Sequence, residues 1–192
     1  MGGGLLPASL HKGELYFLFG LENKMDDTPG YSDLGGGKNN NETQFETAVR
    51  EFSEEINGFF GNINDVRKRV KRNNILKIKH KTYLTCIFLT EYDDKLPIYF
   101  NNNFNFLQRK LPEVIQDTEN GLLEKQKIRW FNIQELTTRK KEFRPFYQEI
   151  VDKIISNLPI IKRKVFEKSR KLKQTRKNQK SKKKKTRKNK IY

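Results

Sequence analysis

The sequence contains one cysteine, Cys86, so no internal disulfide can form and the chain does not read as a small secreted domain stapled by such bridges. Cys86 sits in the apolar run "TYLTCIFLT", where a buried strand residue is expected rather than a nucleophile. No apolar run approaches the ~20 residues that a membrane-spanning helix needs, which argues against an integral membrane protein. The opening "MGGGLLPASL" has no charged leader before a long apolar stretch, which argues against secretion. Its Met-Gly start fails as a myristoylation signal, because Leu6 stands where Ser or Thr is required. A reducing compartment, cytosol or nucleus, is the expectation.

Acidic residues are scarce in one region only. Between Lys162 and Lys190 there are 17 Lys or Arg and a single acid, Glu167, so this stretch carries +16 of the formal +17 and the rest is nearly neutral. With 34% apolar and 11% aromatic residues the chain can build one core, giving a domain over 1–157 and a basic tail over 158–192. The tail is low in complexity and is expected to be disordered or helical. Its density of charge, including Lys182, Lys183, Lys184 and Lys185, suits a polyanion, since neutralising phosphates releases condensed counterions. A nuclear-import address or a solubilising end are the other readings of such a run.

The body has a mixed α/β pattern. "ELYFLFGLE", preceded by the turn-like "HKG", is of strand length. "YSDLGGG" is short, extended and glycine-rich, so that another group can approach its backbone. From Thr43 the period changes: Phe45, Ala48, Val49, Phe52 and Ile56 recur at threes and fours, Thr43 and Glu46 form a capping box, and Asn57-Gly58 tolerates the left-handed geometry of a helix stop. "NINDVRKRVKRNN" is short, basic and helix-like, with Arg67, Lys68 and Arg69 as a second candidate nucleic-acid contact. "ILKIKHKTYLTCIFLTEY" reads as one long strand or two, and the asparagine-rich segment after it as an insertion or loop with some helix. A strand over Ile128 to Ile133 and a last amphipathic helix through Phe143, Phe146, Ile150, Ile154 and Ile155 complete the body.

The first helix carries an anomaly. Glu51, Glu54 and Glu55 stand at i, i+3 and i+4, share a face and repel one another. A hard divalent cation among them would relieve that cost, with Arg50 bracing one carboxylate from four residues before Glu54. A solvated acidic face is the bland alternative.

Reading on from Gly36 gives five residues, Glu42, seven residues, Arg50-Glu51, Phe52, Ser53 and Glu54-Glu55. This spacing resembles the Nudix box, and the sequence is similar to Nudix hydrolases, whose fold is an α/β/α sandwich around a mixed β-sheet. The box glycine after the paired glutamates is Asn57 here, a departure that spares every carboxylate. The stretches "GLLPASLHKGELYFLFGLE" and "LEKQKIRWFNIQEL" resemble the family's first and last strands, and "SDLGGG" looks like the Nudix proteins of large DNA viruses. Were that likeness to hold, the expected cytosol or nucleus would be that of a host cell.

The resemblance implies a phosphoanhydride substrate and Mg2+ or Mn2+ held by Glu51, Glu54, Glu55 and the carbonyl of Gly35. Arg50 would orient the glutamates and Glu42 support them. A general base from a later loop is expected, with Glu124 the candidate and Glu119 its rival. The viral relatives are associated with mRNA decapping and with diphosphoinositol polyphosphates. The basic clusters favour capped RNA; a diphosphoinositol polyphosphate or free nucleotide is the alternative substrate, and a non-catalytic RNA-binding module the alternative role. Trp130, Tyr99 and Phe104 could stack on a base, although Trp130 reads more simply as core. Oligomeric state is not legible.

Overall fold

The computed structural model describes residues 1–23, 28–116 and 123–188. Its strands are β1 (Gly2–His11), β2 (Glu14–Glu22), β3 (Tyr31–Ser32), β4 (Leu34–Gly37), β5 (Asn74–His80), β6 (Tyr83–Leu89) and β7 (Lys125–Asn132). The helices are α1 (Gln44–Glu55), α2 (Ile63–Asn73), α3 (Lys95–Lys110), α4 (Pro112–Gln116), α5 (Ile133–Thr138), α6 (Pro145–Ser156) and α7 (Leu158–Lys188). One sheet runs β3-β2-β1-β6-β5, with β4 also on β1 and β7 also on β2. It is mixed: β1 is parallel to β6 and antiparallel to β2 and β4.

Alternation along the strands buries both faces. Leu6, Phe17, Phe19, Ile87 and Phe131 face α6 and the start of α7; Leu5, Leu18, Cys86, Phe88 and Trp130 face α1, α2 and α3. The result is the expected α/β/α sandwich, with Cys86 a fully buried strand residue. Among the described residues no helix is long and apolar enough to cross a membrane.

The opening stretch makes two strands where the side-chain pattern indicated one. Lys12 and Gly13, both at positive φ, form a two-residue hairpin turn between His11 and Glu14. Three glycines and Pro7 disguise β1, because neither residue favours a strand interior. Yet β1 is central: Gly2 to Leu5 pair with β4, Ala8 to His11 pair with β2, and Pro7 falls between the two partners. The long lysine-rich stretch is two strands, and a bulge between Asn74 and Leu76 explains why its alternation is irregular.

The asparagine-rich segment forms the 16-residue α3 rather than mainly loop. Leu96, Phe100 and Phe104 anchor it, and the Asn101 amide covers the edge of β7 by accepting from the Ile128 N–H at 2.9 Å. Helix α7 contains the basic tail, but its first turns belong to the core, with Ile161 and Val165 fully buried.

Candidate metal centre

Helix α1 begins as its sequence directs. Thr43 Oγ1 accepts from the Glu46 N–H, and the Glu46 carboxylate accepts from the Thr43 N–H at 2.8 Å. Ala48, Val49, Phe52 and Ile56 are fully buried and fix its rotation against the sheet. Asn57 and Gly58 follow with φ of 49° and 76°. Asparagine therefore supplies the left-handed turn for which glycine is more common.

That rotation carries Glu51 and Glu55 inward. Glu51 lies against β4 because Gly36 has no side chain: a Cβ there would stand 2.6 Å from the Glu51 carboxyl carbon. Gly35 pairs with Gly4 one position along, so close that a Cβ would meet the Gly4 Cα at 2.2 Å. The glycine run thus makes a thin wall beside the carboxylates.

Arg50 ties three acids together. It donates to Glu42 at 2.8 Å, to Glu51 at 2.8 Å, to Glu54 at 2.9 Å and to the Gly37 carbonyl at 3.1 Å. The hydrogen bonds from Arg50 hold the Glu42 carboxyl down at about 2. Burial moves Glu51 the other way, above the ordinary carboxylate range, with Arg50 partly opposing it. Glu54 is accordingly committed to its ion pair on the outer side of the helix.

Carboxylate oxygens of Glu51, Glu55 and Glu124 all lie within 4.8 Å of one another. Glu124, expected as a general base, stands just before β7 and lies beside the two helix carboxylates, while Glu54 is not among the three. Glu55 is 1% exposed; its Oε1 faces Lys125, and its Oε2 has no hydrogen-bond partner. Burial raises its pKa well above the usual value. A divalent cation binding oxygens at 2.0–2.6 Å spans about 4–5 Å across, so three such donors, one with a free buried oxygen, fit a divalent cation.

A buried cation stands behind the cluster. Lys125 Nζ, fully buried, contacts Glu55 Oε1 at 3.1 Å, the Glu22 carboxylate and Ser32 Oγ at 3.3 Å. Burial works against its charge, but Glu55 and Glu22 outweigh that and raise its pKa. Arg144 reinforces Glu22 at 2.7 Å. The lysine stem packs on Gly20, where a Cβ would clash at 2.9 Å. Sequence reading missed Lys125 and Glu22. The alternation of β2 offers a signal, since Glu22 is in phase with Leu18 on an inward face. Nothing comparable marks Lys125 among its neighbouring lysines.

Asp33 was also passed over. It is fully buried between β3 and β4, accepts from Tyr83 at 2.9 Å and Thr85 at 2.8 Å, and burial lifts its pKa to about 6.

The other candidate sites are distributed. Glu119 lies outside the described residues. Arg67, Lys68 and Arg69 are on α2, and Lys182 to Lys185 fall on α7 far along from its core-packed start. Trp130 is core, donating from its indole to the Asp93 carbonyl at 2.9 Å; Phe104 is buried and Tyr99 exposed.

No family model matches the chain, and no curated protein matches it in sequence. Solved structures similar to it include the NUDIX domain of Shewanella oneidensis NrtR complexed with ADP ribose, at 8% identity over 82% of this chain and 86% of that one, TM-score 0.42. The Nudix hydrolase RenU from M. smegmatis gives 11% identity over 82% and 87%, TM-score 0.43. The C. elegans Ap4A hydrolase gives 14% over 83% and 92%, TM-score 0.41. Neither the identities nor the TM-scores are high enough to say what this chain does.

Proposed function

We propose that the chain is a metal-dependent hydrolase of the Nudix type, cleaving a phosphoanhydride, with the 5′ cap of RNA as its substrate. The observation that carries this reading is the set of Glu51, Glu55 and Glu124, gathered within 4.8 Å and including a buried carboxylate whose Oε2 lacks a hydrogen bond. A module needing only shape has no use for so costly an arrangement.

Glu51 and Glu55 would hold the cation, with the Gly35 carbonyl of the adjoining strand as a further oxygen donor. Mg2+ or Mn2+ held there would supply Lewis acidity toward phosphate oxygens and water. Arg50 keeps Glu51 in place and Lys125 keeps Glu55 in place, so neither carboxylate has to reorganise when substrate arrives. Glu124, the one member of the set from outside α1, takes the proton from the water that attacks phosphorus as the anhydride P–O bond breaks and the leaving phosphate departs with the bridging oxygen. Cap specificity draws support from two basic elements for the transcript, α2 and α7.

The test is a turnover panel with Mg2+ or Mn2+ on cap-labelled RNA, a diphosphoinositol polyphosphate and nucleoside diphosphate derivatives, run beside Glu55→Gln. Product from capped RNA alone is expected, with turnover by the variant strongly reduced. Turnover of the inositol or free-nucleotide substrates instead would move the substrate assignment. Wild type inactive on all three, or matched by the variant, would sink the hydrolase reading.

A further inference from the structure

A cavity of about 460 Å³ opens at the other end of β1. Ser9, His11, Arg69, Arg72, Tyr92 and Ser169 are among its lining residues, from β1, α2, the segment after β6, and α7. From Gly3, which pairs with Gly36 beside Glu51, to His11 is eight residues, roughly 26 Å at strand rise, so this is not the carboxylate site.

Its lining divides into two chemistries. Arg69 and Arg72 stand one helical turn apart on α2, and Arg69 is held over the Phe60 ring at 5.2 Å. Planar guanidinium groups so spaced suit phosphate oxygens. Opposite in kind is a pair of stacked rings, His11 on Tyr92, with centroids 4.2 Å apart and planes at 26°. Tyr92 continues to Trp130 at 5.2 Å, so the stack is anchored in the core. Ser9 Oγ is occupied by the Thr90 carbonyl at 3.0 Å, which stiffens the floor. One carboxylate, Glu91, sits among these groups.

The surroundings add positive charge. Lys168 Nζ donates to the Arg72 carbonyl at 2.8 Å and Lys164 Nζ to that of Ile75 at 3.1 Å, fastening α7 along the end of α2. Burial, followed by the like charges of Lys171 and Lys164, holds the Lys168 pKa below its ordinary value. The internal basic cluster and the tail helix, a hundred residues apart in sequence, therefore form one cationic rim.

We propose that this cavity is a nucleotide-binding site, with the base stacked on the His11–Tyr92 pair and the phosphate held by Arg69 and Arg72. Its volume lies in the range of small-ligand pockets. The ligand is a free nucleotide or a nucleotide within a single strand, two sources with the same recognition chemistry. The inference is independent of the hydrolase reading.

Calorimetric titration of the full chain in EDTA, which silences the carboxylate site, tests it with AMP, an eight-residue oligoadenylate and ribose 5-phosphate. AMP and the oligomer are expected to bind more tightly than ribose 5-phosphate. His11→Ala should weaken the two adenine probes about tenfold, within the range of one base–aromatic stack, and leave ribose 5-phosphate unchanged. His11→Phe should restore them, and Arg72→Gln should weaken all three, with melting temperatures preserved. AMP binding at least as well as one residue of the oligomer identifies a free-nucleotide site; binding of the oligomer alone identifies a strand site. Ribose 5-phosphate equal to AMP, His11→Ala without effect, or no binding by either adenine probe overturns the proposal.

Discussion

At the Gly2 end of β1 the charges point inward and pair with one another, acids in excess: Glu42, Glu51 and Glu54 on Arg50, Glu22 and Glu55 on Lys125. At the His11 end Lys164 and Lys168 are satisfied by backbone carbonyls, which carry no net charge. The first end supplies counterions of its own, but fewer than its carboxylates. The second keeps its positive charge for something outside the chain. Hydrogen-bond satisfaction and charge balance are thus separate conditions, and the two ends of one strand meet them differently.

Replacing the internal counterion should have the largest effect. Lys125→Met leaves Glu55 and Glu22 buried beside each other, and denaturant unfolding should show a loss of about 3–5 kcal/mol, the usual consequence of breaking a buried pair. Millimolar Mn2+ should recover part of it. A variant as stable as wild type would mean that Lys125 does not balance the cluster. Glu55→Gln should leave the fold intact yet lower turnover roughly 10²- to 10³-fold, because the Lewis acid is worth several kcal/mol. Retained Mn2+ affinity in that variant would break the assignment of Glu55 as a ligand.

Asp33 provides a pH test of the same end. Its folded pKa, about 6, is raised above that of the unfolded chain by burial, so its stabilising protonated form is complete below about pH 4 and is lost as pH rises to 6. Relative to Asp33→Asn, wild type should lose roughly 3 kcal/mol across that window. Parallel unfolding profiles for the two proteins would count against it.

The smallest effect on the body, and the sharpest on the basic end, should come from shortening α7. A cut after Asn157 would remove Ile161 and Val165 from the core and confuse folding with binding. A cut after Leu172 spares both, so stability should hold while RNA affinity and its salt dependence fall. An unchanged salt slope would detach the tail from RNA.

Much of the candidate site was legible because it is local. The Thr43 capping box, the burial of Ala48, Val49 and Phe52, and the left-handed Asn57 all depend on neighbours within a few residues. The glycines that admit Glu51 were legible as a close approach, although not what approaches. Lys125 was not, since meeting Glu55 and Glu22 depends on how β7 docks on β2. Strand β1 was hidden by its glycines and Pro7, which are accommodated only because its partner changes midway. Helix α3 was obscured by asparagines of low helical propensity around three well-spaced anchors.

The pairing of Lys125 with Glu55 also bears on how the protein is made. A chain growing from its N-terminus exposes Glu55 about seventy residues before its buried counterion, and β1 must wait about eighty for β6. Contacts so distant in sequence close late and slowly. Until β7 docks, Arg50 is the cation that steadies the acidic helix, and Glu55 waits for Lys125, so the two halves of the cluster are completed at different stages of synthesis.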